Sequence, residues 1–187
     1  LHRVPRAEYV DASFAALERE RMWSRVWYLA GRVEEVPEPG DFLVYEGPLT
    51  SILITRDETG GLNAFNNSCP HRGMKLCTGE GSVTRITCPF HSFRWSLDGK
   101  LDFIPSRWDF PEIEGDDLPL DRLRVSQWQG FIFVCHDPST PPLEDYLGRI
   151  LSDFAEWDHG KRYAAKKLRK VMRANWKTCV ETFIEAY

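Results

Sequence analysis

Apolar and polar positions change period twice along the chain. From Asp11 or Ser13, which can cap a helix, Phe14, Leu17 and Met22 form a rough apolar stripe to about Trp23. Glu18 to Arg21 form the polar face. The run Trp27–Val33 is short and apolar and predicts a strand; Pro37, Pro39 and Gly40 then break the chain. DFLVYEG, SILITRD, GLNAFNN, SVTRITCPF, FRWSLDGK, RVSQWQG and FIFVCHD follow. These short runs are rich in β-branched and aromatic residues and are separated by turn residues. Such a series predicts an antiparallel β-sandwich or barrel.

The pattern changes again after Asp137. Pro138–Pro142 is hostile to strands, LEDYLGRILSDFAEW reads as helical turns interrupted at Gly148, and KRYAAKKLRKVMR reads as a charged strand. In the last stretch Trp176, Val180, Phe183, Ile184 and Tyr187 recur at helical spacing, with no stop signal after them. The expected layout is a helix and lead-in strand over 1–39, a β domain over 40–140, and the start of a further domain over 141–187.

Composition narrows the function classes. The 187 residues carry 24 Lys+Arg against 28 Asp+Glu, a formal charge of −4, which argues against nucleic acid as the main partner. No apolar run approaches a membrane span, and the first residues lack the apolar stretch of a secretory signal, so a cytoplasmic location is expected. Five widely spaced cysteines do not resemble a secreted disulfide framework.

The chemistry concentrates in one place. Cys69-Pro70-His71 is C-x-H, Cys88-Pro89-Phe90-His91 is C-x-x-H, and sixteen residues separate the halves. Each half offers one thiolate and one imidazole on a proline-stiffened loop, with Gly73, Gly79 and Gly81 close by. Two irons explain the mixture. Replacing two thiolates of a [2Fe–2S] cluster by neutral imidazoles on one iron removes negative charge and raises its potential. The competing reading is a structural Cys₂His₂ zinc site, although zinc fingers pair Cys with Cys and His with His. Chance proximity of four unrelated residues is the plainest alternative.

SCPHRGMKL…CPFHSFRWSLDGKL resembles the Rieske [2Fe–2S] motif. It is most similar to the form in the alpha (large, terminal oxygenase) subunits of Rieske non-haem iron oxygenases, which include the aromatic-ring-hydroxylating dioxygenases. Trp27, Pro39-Gly40-Asp41, Asn66, Gly99, Pro105 and Asn175-Trp176-Lys177 stand in family order. Met74 and Phe90 occupy positions where respiratory Rieske proteins carry two further cysteines, and Phe93 replaces a hydroxyl residue; both favour the oxygenase type.

The resemblance implies that Cys69, His71, Cys88 and His91 ligate the cluster and that Glu185 is the acid bridging electron transfer between subunits. It implies a mononuclear Fe(II) with ligands beyond this chain, a ferredoxin or flavin reductase as donor, and a homotrimer or α3β3 assembly. O₂ and a small organic substrate, expected to be aromatic, are the reactants the resemblance implies. Glu in place of the commoner Asp at position 185 is found in branches acting on quaternary amines. The alternatives are a quaternary-amine monooxygenase and a Rieske-type ferredoxin that only carries electrons. Lys177 is expected to offset Glu181. Trp95, Trp108 and Trp128 are expected in the core, and Arg72, Lys75 and Arg94 are either surface charges or part of a donor-docking face.

Overall fold

The computed structural model describes residues 4–113 and 117–184. Two compact units emerge, Arg25–Tyr163 and Leu1–Ser24 with Ala164–Tyr187.

The larger unit is mainly antiparallel β. Its strands are β1 (Tyr28–Arg32), β2 (Asp41–Glu46), β3 (Ser51–Arg56), β4 (Leu62–Asn66), β5 (Glu80–Ser82), β6 (Ile86–Thr87), β7 (Arg94–Trp95), β8 (Leu101–Phe103), β9 (Arg122–Trp128) and β10 (Phe131–Cys135). Seven form one sheet in the order β1-β10-β9-β4-β3-β2-β5; β6-β7-β8 form a small second sheet. In β3 the alternating residues divide between the faces. Leu53 joins the core beneath the small sheet, and the Thr55 hydroxyl donates 2.7 Å to the Leu97 carbonyl there. That core contains Phe42, Val44, Phe65, Phe93 and Trp95, and it also contains Cys69 and Cys88. The metal-ligand candidates therefore sit at the edge of the hydrophobic interior, where the two sheets meet.

The β7–β8 turn requires glycine at 99. Its φ is +83°, and a Cβ there would lie 2.4 Å from Cε1 of the fully buried Phe65. After β10 the chain makes α3 (Leu143–Leu147) and α4 (Ile150–Asp153), parted at Gly148 as the sequence predicts.

The smaller unit joins the N-terminal helices α1 (Ala7–Val10) and α2 (Ala12–Arg21) to α5 (Trp176–Ile184). Asp11 caps α2 by accepting from the Ser13 N–H at 2.8 Å. Asn175 accepts from the Lys177 N–H at 3.0 Å, the same device at the start of α5.

Four sequence expectations are corrected. The segment read as a charged strand, 161–173, pairs with no strand among the described residues. Leu168 and Val171 are 82% and 93% exposed, because apolar alternation without a ladder partner cannot make a strand. Of SVTRITCPF, only Ser82, the last residue of β5, and Ile86–Thr87, which form β6, lie in strands. Trp108 is 80% exposed on a short 3-10 turn that follows Ser106 at φ +52°, so it is no core residue. Lys177 pairs with Glu18, not with Glu181. No helix among the described residues is long and apolar enough to cross a membrane.

Candidate metal centre

Two loops carry the four donors, and they share one backbone design. In the first, the Cys69 N–H donates to the Met74 carbonyl at 2.8 Å and the Gly73 N–H donates back to the Cys69 carbonyl at 2.8 Å. In the second, Cys88 N–H donates to the Phe93 carbonyl at 2.8 Å and Ser92 N–H to the Cys88 carbonyl at 3.0 Å. The residue four beyond each cysteine adopts the left-handed conformation, Gly73 at φ +71° and Ser92 at φ +58°. Each turn thus buries its cysteine at the base and lifts its histidine toward the tip.

The side chains sort by element. Cys69 and Cys88 are 3% and 1% exposed. His71 and His91 are half-buried, with ring centroids 5.0 Å apart. His71 stacks on Phe93 at 4.8 Å and meets Phe110 edge-on at 6.1 Å; His91 lies against Phe90 at 3.8 Å. The Nδ1 atom of His71 is buried without a hydrogen-bond partner, an orphaned acceptor that a metal would satisfy.

Electrostatics agree with that fit. Burial lowers the His71 pKa, helped by the charges of His91 and Arg72, so the ring is held in the neutral form that binds metal. Burial also pushes the Cys69 thiol up, with Cys88 adding to it, while the N–H groups of His71 and Arg72 oppose the rise. Coordination to a metal ion overrides such a shift by deprotonating the thiol. A thiolate pair inside and an imidazole pair outside suit two irons with two protein ligands each. A tetrahedral zinc needs its ligands around one point, and no group of three or more such donors arranged for one ion occurs among the described residues. All five cysteines are free, so no disulfide braces the loops.

Sequence reasoning singled out Asn66 and missed its neighbour. Asn67 is 3% exposed, and its side chain makes four hydrogen bonds. Its Oδ1 accepts from the N–H groups of Leu76 and Cys77 at 3.1 and 3.0 Å, and its Nδ2 donates to Ser51 Oγ and the Cys77 carbonyl at 3.1 and 2.8 Å. It ties the segment after the first loop to β3. A polar residue directly after an apolar strand and two before a candidate ligand cysteine was the available signal. Of the flanking cations, Lys75 pairs with Glu46, and Arg94 pairs with Asp102 at 2.6 Å while lying over Phe103. Arg72 is exposed. Glu185 lies outside the described residues.

A family model for the Rieske [2Fe-2S] domain matches residues 26–114. The chain is 30% identical over 192 residues to the glycine betaine monooxygenase oxygenase subunit of Chromohalobacter salexigens, covering all of this chain and 42% of that one. It is also 30% identical over 188 residues to the carnitine monooxygenase oxygenase subunit of Escherichia coli K12, covering 98% of this chain and 50% of the relative. Among solved structures, the quaternary ammonium Rieske monooxygenase CntA with L-carnitine superposes with a TM-score of 0.91 at 26% identity, over 97% of this chain and 52% of that one. Naphthalene 1,2-dioxygenase from Rhodococcus sp. gives a TM-score of 0.76 at 31% identity, over 82% and 36%. The chain thus spans about half the length of these relatives or less. Residues 26–114 are a Rieske [2Fe–2S] domain, and the chain that carries them is homologous to the N-terminal portion of the oxygenase subunits of Rieske oxygenases.

Proposed function

We propose that this chain is the electron-accepting portion of a terminal oxygenase subunit. In this reading Cys69 and Cys88 hold the inner iron of the cluster, and His71 and His91 hold the outer iron. The observation that carries it is the pair of matched loops, which bury two sulfurs at the base and leave a buried, unpartnered His71 Nδ1 above them. When bound, the cluster accepts and returns one electron at a time. The protein holds the His71 imidazole neutral, excludes water from the sulfurs, and presents the imidazole edges to a donor. Residues 40–140 would form the cluster domain and 141–187 the opening of the catalytic domain. Oxygenation belongs to a mononuclear Fe(II) held by the part of the relatives that this chain does not span.

Glu185 is assigned as the acid through which electrons leave His91 for that iron in a neighbouring subunit. A solved CntA structure similar to this chain bears on inter-subunit electron transfer, which supports a crossing between subunits. The donor would be a ferredoxin or flavin reductase, the assembly a homotrimer or α3β3 and the location cytoplasmic.

For the substrate, a quaternary ammonium compound is the first reading. The glycine betaine and carnitine enzymes match nearly the whole chain, and CntA superposes at 0.91 against 0.76 for the naphthalene enzyme. Glu at 185 agrees with it. The aromatic substrate expected from sequence is the second reading, supported by the naphthalene enzyme's 31% identity. The test is O₂ consumption by the full-length protein with a reductase, offered glycine betaine, carnitine and naphthalene in turn. Coupled consumption only with a trimethylammonium substrate upholds the first reading; coupling only with the arene overturns it.

A further inference from the structure

An ammonium group leaves water only where other groups replace its hydration shell. Lys177 has done so. Its side chain is 14% exposed, and Glu18, whose Oε1 lies 2.5 Å from Nζ, is 10% exposed. By contrast, the Arg149–Asp153 pair on α4 is 91% and 52% exposed. The Lys177 ammonium also lies 5.5 Å from the ring centroid of Tyr9 and 5.2 Å from those of Phe14 and Trp176. Three ring faces and one carboxylate thus enclose a single cation, each face attracting it through the ring quadrupole.

The neighbouring contacts give this cage a mechanical meaning. Before α5, Asn175 Nδ2 donates 2.9 Å to the Tyr9 carbonyl, and Trp176 meets Trp23 edge-on at 5.0 Å. One turn beyond Lys177, Glu181 accepts from the Tyr9 hydroxyl at 2.5 Å. The helix is gripped at its cap, in its first turn and in its second by residues some 160 positions earlier. A slip of one residue moves a helix about 1.5 Å along its axis and turns it about 100°, which no hydrogen bond in this set survives. Of the three grips, the middle one uses the charged, desolvated pair, the contact least able to reform elsewhere.

We propose that Lys177 is a positioning residue for electron delivery: its caged ammonium, held by Glu18 and the rings of Tyr9, Phe14 and Trp176, sets the height and rotation of α5. This rests on the reading above that α5 leads into the bridging acid Glu185. Lys177 touches no reacting group; it acts through the helix.

The test uses the full-length, cluster-loaded oxygenase and follows oxidation of the reduced Rieske centre in a single turnover with substrate and O₂. Lys177→Met keeps the length of the stem and removes the charge. It should leave iron and sulfide content unchanged and slow cluster oxidation by about 100-fold, the scale of a 1 Å misplacement. Glu18→Gln leaves the ammonium caged without its carboxylate and should slow oxidation in the same direction, and it serves if Lys177→Met does not fold. The double variant should be no slower than Lys177→Met alone, since one unit has been broken once. Asp11→Ala removes the cap of α2 outside the cage; it should lower the thermal midpoint and leave the oxidation rate at the wild-type value. Wild-type oxidation rates in Lys177→Met and Glu18→Gln would overturn the proposal, as would equal slowing by Asp11→Ala, which marks general loosening. If the wild-type cluster itself passes no electron under these conditions, the bridging reading has failed and the positioning role falls with it.

Discussion

The two cluster loops offer a matched pair of perturbations with opposite expected signs. Gly73 and Ser92 occupy equivalent places, four residues after a cysteine, at φ +71° and +58°. An L-residue pays roughly 1–2 kcal/mol for the left-handed conformation. Glycine avoids that cost but gives back roughly 0.4–1 kcal/mol through the greater freedom of its unfolded chain. Ser92→Gly should therefore stabilise the chain by about 0.5–1 kcal/mol. Gly73→Ala should destabilise it by a similar amount. A Cβ at 73 would find only Ser68 Oγ at 3.9 Å, so no steric clash adds to the backbone cost. For a chain of this size each shift is about 2 °C in Tm. Urea unfolding, followed by tryptophan fluorescence at matched cluster occupancy, would read both. Shifts of the same sign, or destabilisation by Ser92→Gly, would refute the claim that backbone conformation governs these two positions.

The remaining expectations follow from single residues. Wild-type chain should be red-brown with two irons and two sulfides, while Cys69→Ser should lose them by metal and sulfide analysis; stoichiometric zinc without sulfide would sink the assignment. In the full-length enzyme, Glu185→Gln should keep both metal sites loaded yet severely slow oxidation of the reduced cluster in single turnover. Asp57 is raised by burial but lowered more by hydrogen bonds from Thr59, Asn63 and the Gly61 and Thr59 N–H groups, so that it sits at about 2, below its ordinary 3.8. Its contribution, about 1 kcal/mol after allowing for solvent, is present above pH 4 and is lost as pH falls toward 2. Asp57→Asn should flatten that part of the stability–pH curve. Gly99→Ala must place its methyl on Phe65 at φ +83° and should cost about 3 kcal/mol by chemical denaturation.

What could be read in advance was what local spacing controls. The cysteine–histidine halves, the strand runs β2, β3, β4, β9 and β10, the break at Gly148 and the α5 stripe all depend on residues close in sequence. What could not be read depends on distant partners. Lys177 has an acid at i+4, and local rules pair it with Glu181; the folded chain supplies Glu18 from 159 positions away. Asn67 looks like turn material until Ser51, Leu76 and Cys77 close around it. The segment 161–173 has strand-like composition without an edge to join. Trp108 has a core residue's chemistry on a turn that faces water.

The aromatic rings around the two histidines bear on the speed of electron transfer as well as its route. Phe93 and Phe110 wedge the His71 imidazole, and Phe90 lies against that of His91. With a cluster bound, rings packed in this way would leave the imidazoles little room to swing when the charge on the outer iron changed. The surroundings of the oxidised and reduced centres would then differ little, and little rearrangement would have to precede each electron's departure. Such a centre can exchange electrons quickly with a partner of nearly equal potential, so a relay can run through it in small downhill steps.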